Sequence, residues 1–187
     1  MYYVKNVKPI NSYPLQPIGN VLIVSEISQI TENIFLGNIY DAANIKKLSK
    51  LGIKKVLTLT MDTQIISLPK EFERKIIKVQ DLPRENIIQY FGECINFIEG
   101  DTKILVHCTM GISRSPTIIL AYLMWKNQLK LEEAFKLVRR IRNINPNYGF
   151  IRQLQIFEDL LKKNNYNINK INFREIKYPR AFQECCF

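Results

Sequence analysis

Residues 103–116, with the sequence Lys-Ile-Leu-Val-His-Cys-Thr-Met-Gly-Ile-Ser-Arg-Ser-Pro, decide how this 187-residue chain folds. An apolar segment runs into a short polar loop, and the loop runs into a second apolar segment at 118–125. This order predicts a strand, a loop and a helix. The first N–H groups of a helix lack partners and carry partial positive charge, so such a junction favours an anion. The stretch therefore predicts a binding site for a phosphate-sized group.

Strands and helices alternate on both sides of this stretch. Short runs rich in apolar and β-branched residues predict strands at 27–30, 34–36, 56–60, 74–79 and 103–106. Apolar residues at helical spacing predict helices at 42–51, 87–97, 115–126, 131–142 and 150–161. This alternation is typical of an α/β fold, in which a partly parallel sheet is flanked by helices.

The domain organisation follows from length and composition. The length favours one domain, and 47% apolar with 24% charged residues is typical of a globular protein. We expect an arm without regular structure at 1–25, a folded domain at 26–163 and a mobile tail at 164–187, which is rich in Asn and Lys. The apolar run at 118–125 is much shorter than the ~20 residues that span a bilayer, so no membrane span is predicted.

Charge and cysteine content narrow the function classes. The net charge of +10 attracts anionic partners, but the basic residues are scattered and no nucleic-acid-binding motif accompanies them, so we expect no nucleic acid. Four cysteines and one histidine fit neither a disulfide scaffold nor a zinc site. With no secretory signal at the amino terminus, we expect a reduced, intracellular protein of the cytoplasm or nucleus.

The polar loop carries the residues of a nucleophilic site. Cys108 stands at the start of the predicted helix, where the helix dipole, oriented amides and Arg114 favour the reactive thiolate. The planar guanidinium of Arg114 can hold two oxygens of a phosphoryl group during its transfer. Gly111 lets the loop turn where a side chain would obstruct the anion. These residue types predict transfer of a phosphoryl group to sulfur.

Neighbouring polar residues have supporting roles in this hypothesis. Ser115 can donate to the cysteine sulfur and ease its departure when water attacks the thiophosphate, and Ser113 and Thr109 add polar support. His107 is expected to brace the loop rather than act as a base, because a stabilised thiolate needs no proton acceptor. Cys94 lies among apolar residues, so packing is expected, with a disulfide to Cys108 under oxidation as the alternative.

The pattern His-Cys-x-x-Gly-x-Ser-Arg-Ser at 107–115 resembles that of the dual-specificity phosphatases within the cysteine-dependent protein tyrosine phosphatase superfamily. The resemblance extends over about 27–160, including 34–38, 52–57 and 145–154. It implies a central mixed, mostly parallel sheet of about five strands flanked by helices, with 26–163 as the catalytic domain. It also implies hydrolysis of phosphotyrosine and of phosphoserine or phosphothreonine through a cysteinyl-phosphate intermediate.

The resemblance further implies a carboxylic acid on a separate loop, which protonates the leaving oxygen and later activates water. Asp81 is the candidate, because it follows a predicted strand and opens the segment 81–86 before a helix. Asp62 is the fallback, and Asp101 is expected to be a turn residue. The phosphate would be bound at Thr109, Met110, Gly111, Ile112, Ser113 and Arg114.

The implied partners are phosphorylated proteins, with kinases as one candidate class. Neither a metal nor an organic cofactor is implied, because the amides and arginine neutralise the charge that metal ions neutralise in other phosphatases. We expect a monomer. The terminal Cys185-Cys186 pair is expected to be unmodified, with lipidation as the alternative.

Other functions compete with this one. A pseudophosphatase would bind phosphorylated partners without turnover, although Cys108, Arg114 and Asp81 are all present. A phosphoinositide or an RNA 5′-phosphate is the alternative substrate, although the loop has neither the lysines nor the pattern typical of those relatives. Sulfur transfer by a rhodanese-type loop is a more distant alternative, since that chemistry does not require the Arg-Ser pair.

Overall fold

A mixed five-stranded sheet forms the centre of the protein. The computed structural model describes residues 15–18, 21–24, 26–61, 68–176 and 178. Following an amino-terminal hairpin, β1 (Leu15–Ile18) and β2 (Val21–Val24), the strands of this sheet are β3 (Ser28–Gln29), β4 (Ile34–Gly37), β5 (Lys55–Thr60), β6 (Glu73–Lys78) and β7 (Ile104–His107). They lie in the order β3-β4-β7-β5-β6, antiparallel between β3 and β4 and parallel elsewhere. The expected fold class is confirmed.

β7 lies at the middle of the sheet because both of its faces are apolar. All four of its residues are buried, as expected of a strand covered on two sides. Leu36 of β4 and Leu57 of β5 both align with Val106, so the carboxyl ends of these three parallel strands share one edge. The chain leaves β7 at this edge and enters the loop that the sequence singled out.

Helices cover both faces of the sheet. They are α1 (Ile39–Ala43), α2 (Ile45–Lys50), α3 (Phe91–Ile98), α4 (Arg114–Lys126), α5 (Leu131–Ile141) and α6 (Tyr148–Lys163). Successive strand residues point to opposite faces, so Phe35 and Leu105 join a small core with residues of α1 and α2. Leu36 and Val106 join the larger core formed with α3 to α6. Within α4 every residue from Arg114 to Met124 is buried, which makes this helix the centre of the larger core.

The helix expected at 42–51 is two helices in the structure. The side chain of Asn44 accepts from the backbone N–H of Lys47 at 3.1 Å, so Asn44 ends α1 and caps α2. Asn38 caps α1 in the same way and accepts from the N–H groups of Tyr40 and Asp41. Asparagine side chains compete for backbone groups in this manner, which apolar spacing alone does not reveal.

The arm expected at 1–25 to lack regular structure is paired over part of its length, which corrects that expectation. β1 and β2 are antiparallel, with Leu15 opposite Val24 and Ile18 opposite Val21. In the sequence, the dipeptide Gly19-Asn20 separates these strands, and such a pair is a signal for a two-residue hairpin connection. Residues 1–14 lie outside the described residues.

The tail expected at 164–187 is also ordered in its first part. Two short 3₁₀ turns, Ile168–Lys170 and Phe173–Glu175, follow α6, and Ile168 and Ile171 are buried in the larger core. The indole N–H of Trp125 donates to the carbonyl of Tyr166 at 3.0 Å. Apolar residues here lack helical or strand periodicity, so this packing could not be predicted from the sequence. The domain boundaries at 26 and 163 remain predictions.

Among the described residues, none of the helices has the length and apolar character needed to span a bilayer.

Candidate active site

The loop between β7 and α4, residues 108–113, is called the junction loop below. Gly111 has a φ of +69°, a conformation that side chains disfavour. A Cβ atom there would lie 2.4 Å from the carbonyl oxygen of Gly37 and 2.7 Å from Nη2 of Arg142. The tight turn of the junction loop therefore requires glycine at this position, because a side chain would collide with Gly37 and Arg142.

Cys108 lies at the start of the junction loop with its sulfur turned inward. Its Sγ accepts from the backbone N–H of Gly111 and from the hydroxyl of Ser115, each at 3.2 Å. The residue is 2% exposed and Ser115 is fully buried, so both donors act in a medium of low polarity. Donors directed at sulfur stabilise its negative charge, and the N-terminus of α4 adds to this effect.

Arg114 is the first residue of α4, and its guanidinium is buried beside the junction loop. Its Nη2 donates to the hydroxyl of Thr109 at 2.9 Å, and its Nη1 lies 3.4 Å from the carbonyl oxygen of Val79. Its Nε lies 3.7 Å from Oδ2 of Asp81 and, among the described residues, has no hydrogen-bond partner. A donor group on this cation therefore remains free for an anionic ligand.

The side chain of Asp81 contacts the junction loop. Its Oδ1 accepts from the hydroxyl of Ser113 at 2.7 Å and from the side-chain amide of Asn147 at 2.9 Å. The structure thus brings Asp81 within ion-pair distance of Arg114. Asp62, the fallback acid, lies outside the described residues.

Asn147 was not singled out from the sequence as a site residue. It caps α6 through its Oδ1, which accepts from the N–H of Phe150 at 3.0 Å, while its amide nitrogen donates to Asp81. Its backbone N–H also donates to the hydroxyl of Ser113 at 3.2 Å. An asparagine before a predicted helix signals a cap, but the contact with Asp81 spans 66 positions and has no local signal.

The loop that carries Asp81, residues 81–86, is called the Asp81 loop below and rests on α6. A Cβ atom at Gly149 would lie only 1.9 Å from the carbonyl oxygen of Pro83, so the two backbones touch. Gln153, fully buried, donates to the carbonyl of Glu85 at 2.8 Å and accepts from the N–H of Ile88 at 2.9 Å. These contacts hold the middle and the carboxyl end of the loop that presents Asp81.

His107 is buried between the junction loop and the sheet. Its Nε2 lies 2.8 Å from the hydroxyl of Thr58 on β5, and the residue is 2% exposed. Burial lowers the pKa of His107 to about 4, so the imidazole is neutral near pH 7. A neutral, buried ring that is bonded to the neighbouring strand matches a bracing role.

The remaining candidates differ in exposure. Met110 is 41% exposed at the outer side of the junction loop, while Ile112 and Thr109 are half-buried. Cys94 is a free, fully buried thiol on α3, and burial raises its pKa, so it has the packing role that the sequence favoured. Cys185 and Cys186 lie outside the described residues.

Comparison with known proteins agrees with this geometry. Residues 34–160 match the family model for the dual specificity phosphatase catalytic domain. Human dual specificity protein phosphatase 9 is 40% identical in an alignment of 157 residues that covers 78% of this chain and 39% of that protein. Dual specificity protein phosphatase 1B of Arabidopsis thaliana is 38% identical in an alignment of 144 residues that covers 74% of this chain and 86% of that protein. The chain therefore matches less than half of the human relative's length.

Solved structures share both the fold and part of the sequence. The human tyrosine phosphatase-like serine/threonine/tyrosine-interacting protein superposes with a TM-score of 0.68 at 33% identity, covering 73% of this chain and 97% of that one. DUSP15 superposes with a TM-score of 0.65 at 30% identity, covering 73% and 95%. The family model covers more than half of the chain, including Cys108, Arg114 and Asp81. The chain therefore belongs to the dual specificity phosphatase family.

Proposed function

We propose that the protein is a dual-specificity protein phosphatase that hydrolyses phosphotyrosine and phosphoserine or phosphothreonine through a cysteinyl-phosphate intermediate. One observation carries the proposal. The sulfur of Cys108 accepts from two donors at the start of α4, the helix that Arg114 begins, and Arg114 lies within ion-pair distance of Asp81. The sequence relatives named dual specificity protein phosphatases support the same reaction.

The first step forms the S–P bond and breaks the P–O bond to the substrate. The Cys108 thiolate attacks phosphorus, while Arg114 and the N–H groups of residues 109–114 bind the equatorial oxygens. Asp81 donates its proton to the departing oxygen, so the product leaves as an alcohol or phenol. An entering phosphate can draw Arg114 away from Thr109 and Val79, which it contacts in this structure.

The second step breaks the S–P bond. Water attacks phosphorus and the Asp81 carboxylate takes its proton, so inorganic phosphate is released and both the thiolate and the protonated acid are regenerated. The hydroxyl of Ser115, 3.2 Å from the sulfur, stabilises the charge that returns to it. Neither step requires a metal, since the guanidinium and the amides neutralise the charge on the phosphoryl oxygens.

Phosphoproteins are the substrate class that a phosphatase domain of this family implies. We propose that kinases are among them, that the protein acts as a monomer, and that it works in the cytoplasm or nucleus. Met110, 41% exposed beside the junction loop, would contact the residues that flank the phosphorylated side chain.

The test measures phosphate release from a phosphotyrosyl and a phosphothreonyl peptide in the presence of EDTA. Wild type is compared with Cys108→Ser and with Cys94→Ala, which removes a buried thiol on α3 outside the site. We expect release by wild type and Cys94→Ala and none by Cys108→Ser. Equal release by Cys108→Ser and wild type would exclude the sulfur nucleophile.

A binding function without turnover is the second candidate. One structural neighbour carries the name of a phosphatase-like interacting protein, which is the observation that favours it. Under this alternative the wild type would bind both phosphopeptides and release no phosphate from either. A lipid or RNA 5′-phosphate would be tested next if neither peptide bound.

A further inference from the structure

Arg142 follows α5 directly and has no part in the mechanism proposed above. Its backbone is extended, with φ −140° and ψ 140°, which turns the side chain from the helix axis towards the junction loop. The residue is only 8% exposed, although arginine is seldom buried unless it is paired. Such a buried cation next to a nucleophilic loop requires an explanation.

The guanidinium of Arg142 binds carbonyl groups of the junction loop. Its Nε donates to the carbonyl of Gly111 at 3.0 Å, and its Nη2 lies 3.5 Å from the carbonyl oxygen of Met110. In a planar trans peptide the N–H points opposite to the C=O. By holding the Met110 carbonyl on the outside, Arg142 directs the N–H of Gly111 inward, where it donates to Cys108 Sγ.

The other end of the guanidinium is fixed at the start of β3. Nη1 donates to the carbonyl of Glu26 at 2.6 Å and lies 3.3 Å from the hydroxyl of Ser28. All three nitrogens of Arg142 therefore have partners, and the fork cannot rotate without losing several of them. This arrangement holds the junction loop against a fixed strand.

The charge of Arg142 is balanced by two groups that face it. Burial lowers its pKa, and the nearby negative charges of Asp41 and Cys108 oppose that shift. Asp41 is 4% exposed; burial raises its pKa, while Arg142 is among the charges that lower it. A guanidinium stays protonated in proteins, so Arg142 is a cation that lies against the Gly111 and Met110 carbonyls of the junction loop.

We propose that Arg142 is a positioning residue that orients the peptide groups of the junction loop and adds positive charge behind the Cys108 sulfur. This inference rests on the proposed function, because it assigns Arg142 to the same nucleophile. Arg142 would contribute in two ways: its contacts with the carbonyls orient the loop, and its charge lies near the sulfur. A lysine keeps the charge and loses the planar fork, so the two contributions can be tested independently.

The experiment uses the full chain and follows alkylation of Cys108 by iodoacetamide as a function of pH. Trypsin cuts after Lys103 and Arg114, so the peptide 104–114 reports on Cys108 alone by mass spectrometry. Inorganic phosphate is added as a competitor, and the concentration that halves alkylation measures its affinity. Neither readout requires turnover.

Four variants are compared with wild type: Arg142→Met, Arg142→Lys, the pair Arg142→Met with Asp41→Asn, and Arg140→Met as control. Arg140 is an exposed arginine two positions away on α5. In Arg142→Met we expect the alkylation midpoint to rise by roughly one pH unit. We also expect the phosphate concentration for half protection to rise about tenfold and kcat/KM to fall by about 100-fold.

Arg142→Lys should have nearly the wild-type midpoint, because it retains the charge, but weaker phosphate protection, because it loses the fork. If Arg142→Met does not fold, as a thermal scan would show, the double variant replaces it, because it leaves no unpaired charge at Asp41. A double variant with a raised midpoint supports the proposal.

Wild-type midpoint and wild-type phosphate protection in a folded Arg142→Met or double variant would overturn it. This failure is distinct from failure of the proposed function. A wild type that releases no phosphate from any peptide would refute the phosphatase, while the alkylation data would still decide what Arg142 does.

Discussion

The junction loop and the Asp81 loop supply the two halves of the proposed chemistry, and they are held in different ways. In the junction loop, Cys108 receives both of its hydrogen bonds from Gly111 and Ser115, three and seven positions along the chain. The Asp81 loop depends on Asn147 and Gln153, which lie 66 and 68 positions from the groups they bind. The hydrogen bonds to the nucleophilic sulfur are therefore local, whereas the acid is positioned by tertiary packing.

This difference implies that the two halves can be damaged separately. A change in the junction loop should remove the nucleophile while the acid stays in place. A change on α6 should displace the acid and leave the sulfur reactive. The predictions below test that separation, beginning with the largest effect.

Cys108→Ser should reduce turnover of a phosphotyrosyl peptide by more than about 10⁴-fold, because a serine hydroxyl is not ionised at neutral pH. The amides of the junction loop and Arg114 remain, so the variant should still bind the phosphopeptide. Phosphate release and peptide binding by calorimetry check both expectations. A variant that neither binds nor turns over would mean that the substitution disturbed the whole loop.

Asp81→Asn should lower kcat by ~10²–10⁴-fold, because the leaving oxygen then departs without a proton. The loss should be smaller for a nitrophenyl phosphate, whose leaving group needs less protonation, and the fall of kcat at high pH should disappear. Asp101→Asn, which alters an exposed turn aspartate, is the matched control. An unchanged pH profile would move the role of the acid to Asp62.

Gly149→Ala should lower kcat by about 100-fold without touching the reacting groups. The new methyl group would lie 1.9 Å from the carbonyl oxygen of Pro83, so the Asp81 loop must shift, and a displacement of about 1 Å can cost that much. Alkylation of Cys108 should be unchanged, because the donors to its sulfur, Gly111 and Ser115, lie on the junction loop and α4 and not on the Asp81 loop. Tyr148→Ala, an exposed change in the same turn, should behave as wild type.

Loss of Cys108 alkylation in Gly149→Ala would contradict the separation of the two halves. It would show that the Asp81 loop also holds the nucleophile, through the contacts of Asp81 with Ser113 and Arg114. Thermal unfolding of the variant distinguishes this result from general destabilisation.

The same contrast explains what could be predicted from the sequence. Cys108, Gly111, Arg114 and Ser115 fall within eight consecutive positions, so their spacing alone predicted the junction loop. The α/β fold class was expected from the alternation of strand-like and helical segments, and the resemblance implied the mixed sheet. Both depend on local pattern, which a single sequence displays.

The contacts around the site that the sequence did not predict are long-range. Arg142 binds Gly111 from 31 positions away, and Gln153 reaches Glu85 across 68. In the sequence alone these residues resemble ordinary polar side chains of a solvated helix face. Their roles depend on which elements pack together, and no spacing within one element encodes that.

The smallest expected effect at neutral pH is that of changing His107, whose contact with Thr58 links the start of the junction loop to the sheet. The pKa of His107 in the folded protein is about 4, below the ordinary value of 6.5. Between pH 6.5 and pH 4, the histidine therefore binds a proton in the unfolded chain but not in the folded one. Stability should therefore fall as the pH drops from 6.5 towards 4. The full loss from this group is on the order of 3 kcal/mol below pH 4.

Because the chain has a single histidine, NMR titration of its ring signal needs no assignment and should show a midpoint well below 6. His107→Gln should lose this part of the acid dependence of the unfolding free energy, since an amide does not titrate. A midpoint near 6.5 would mean that the ring is solvated, and then the contact with Thr58 could not be what braces the start of the junction loop.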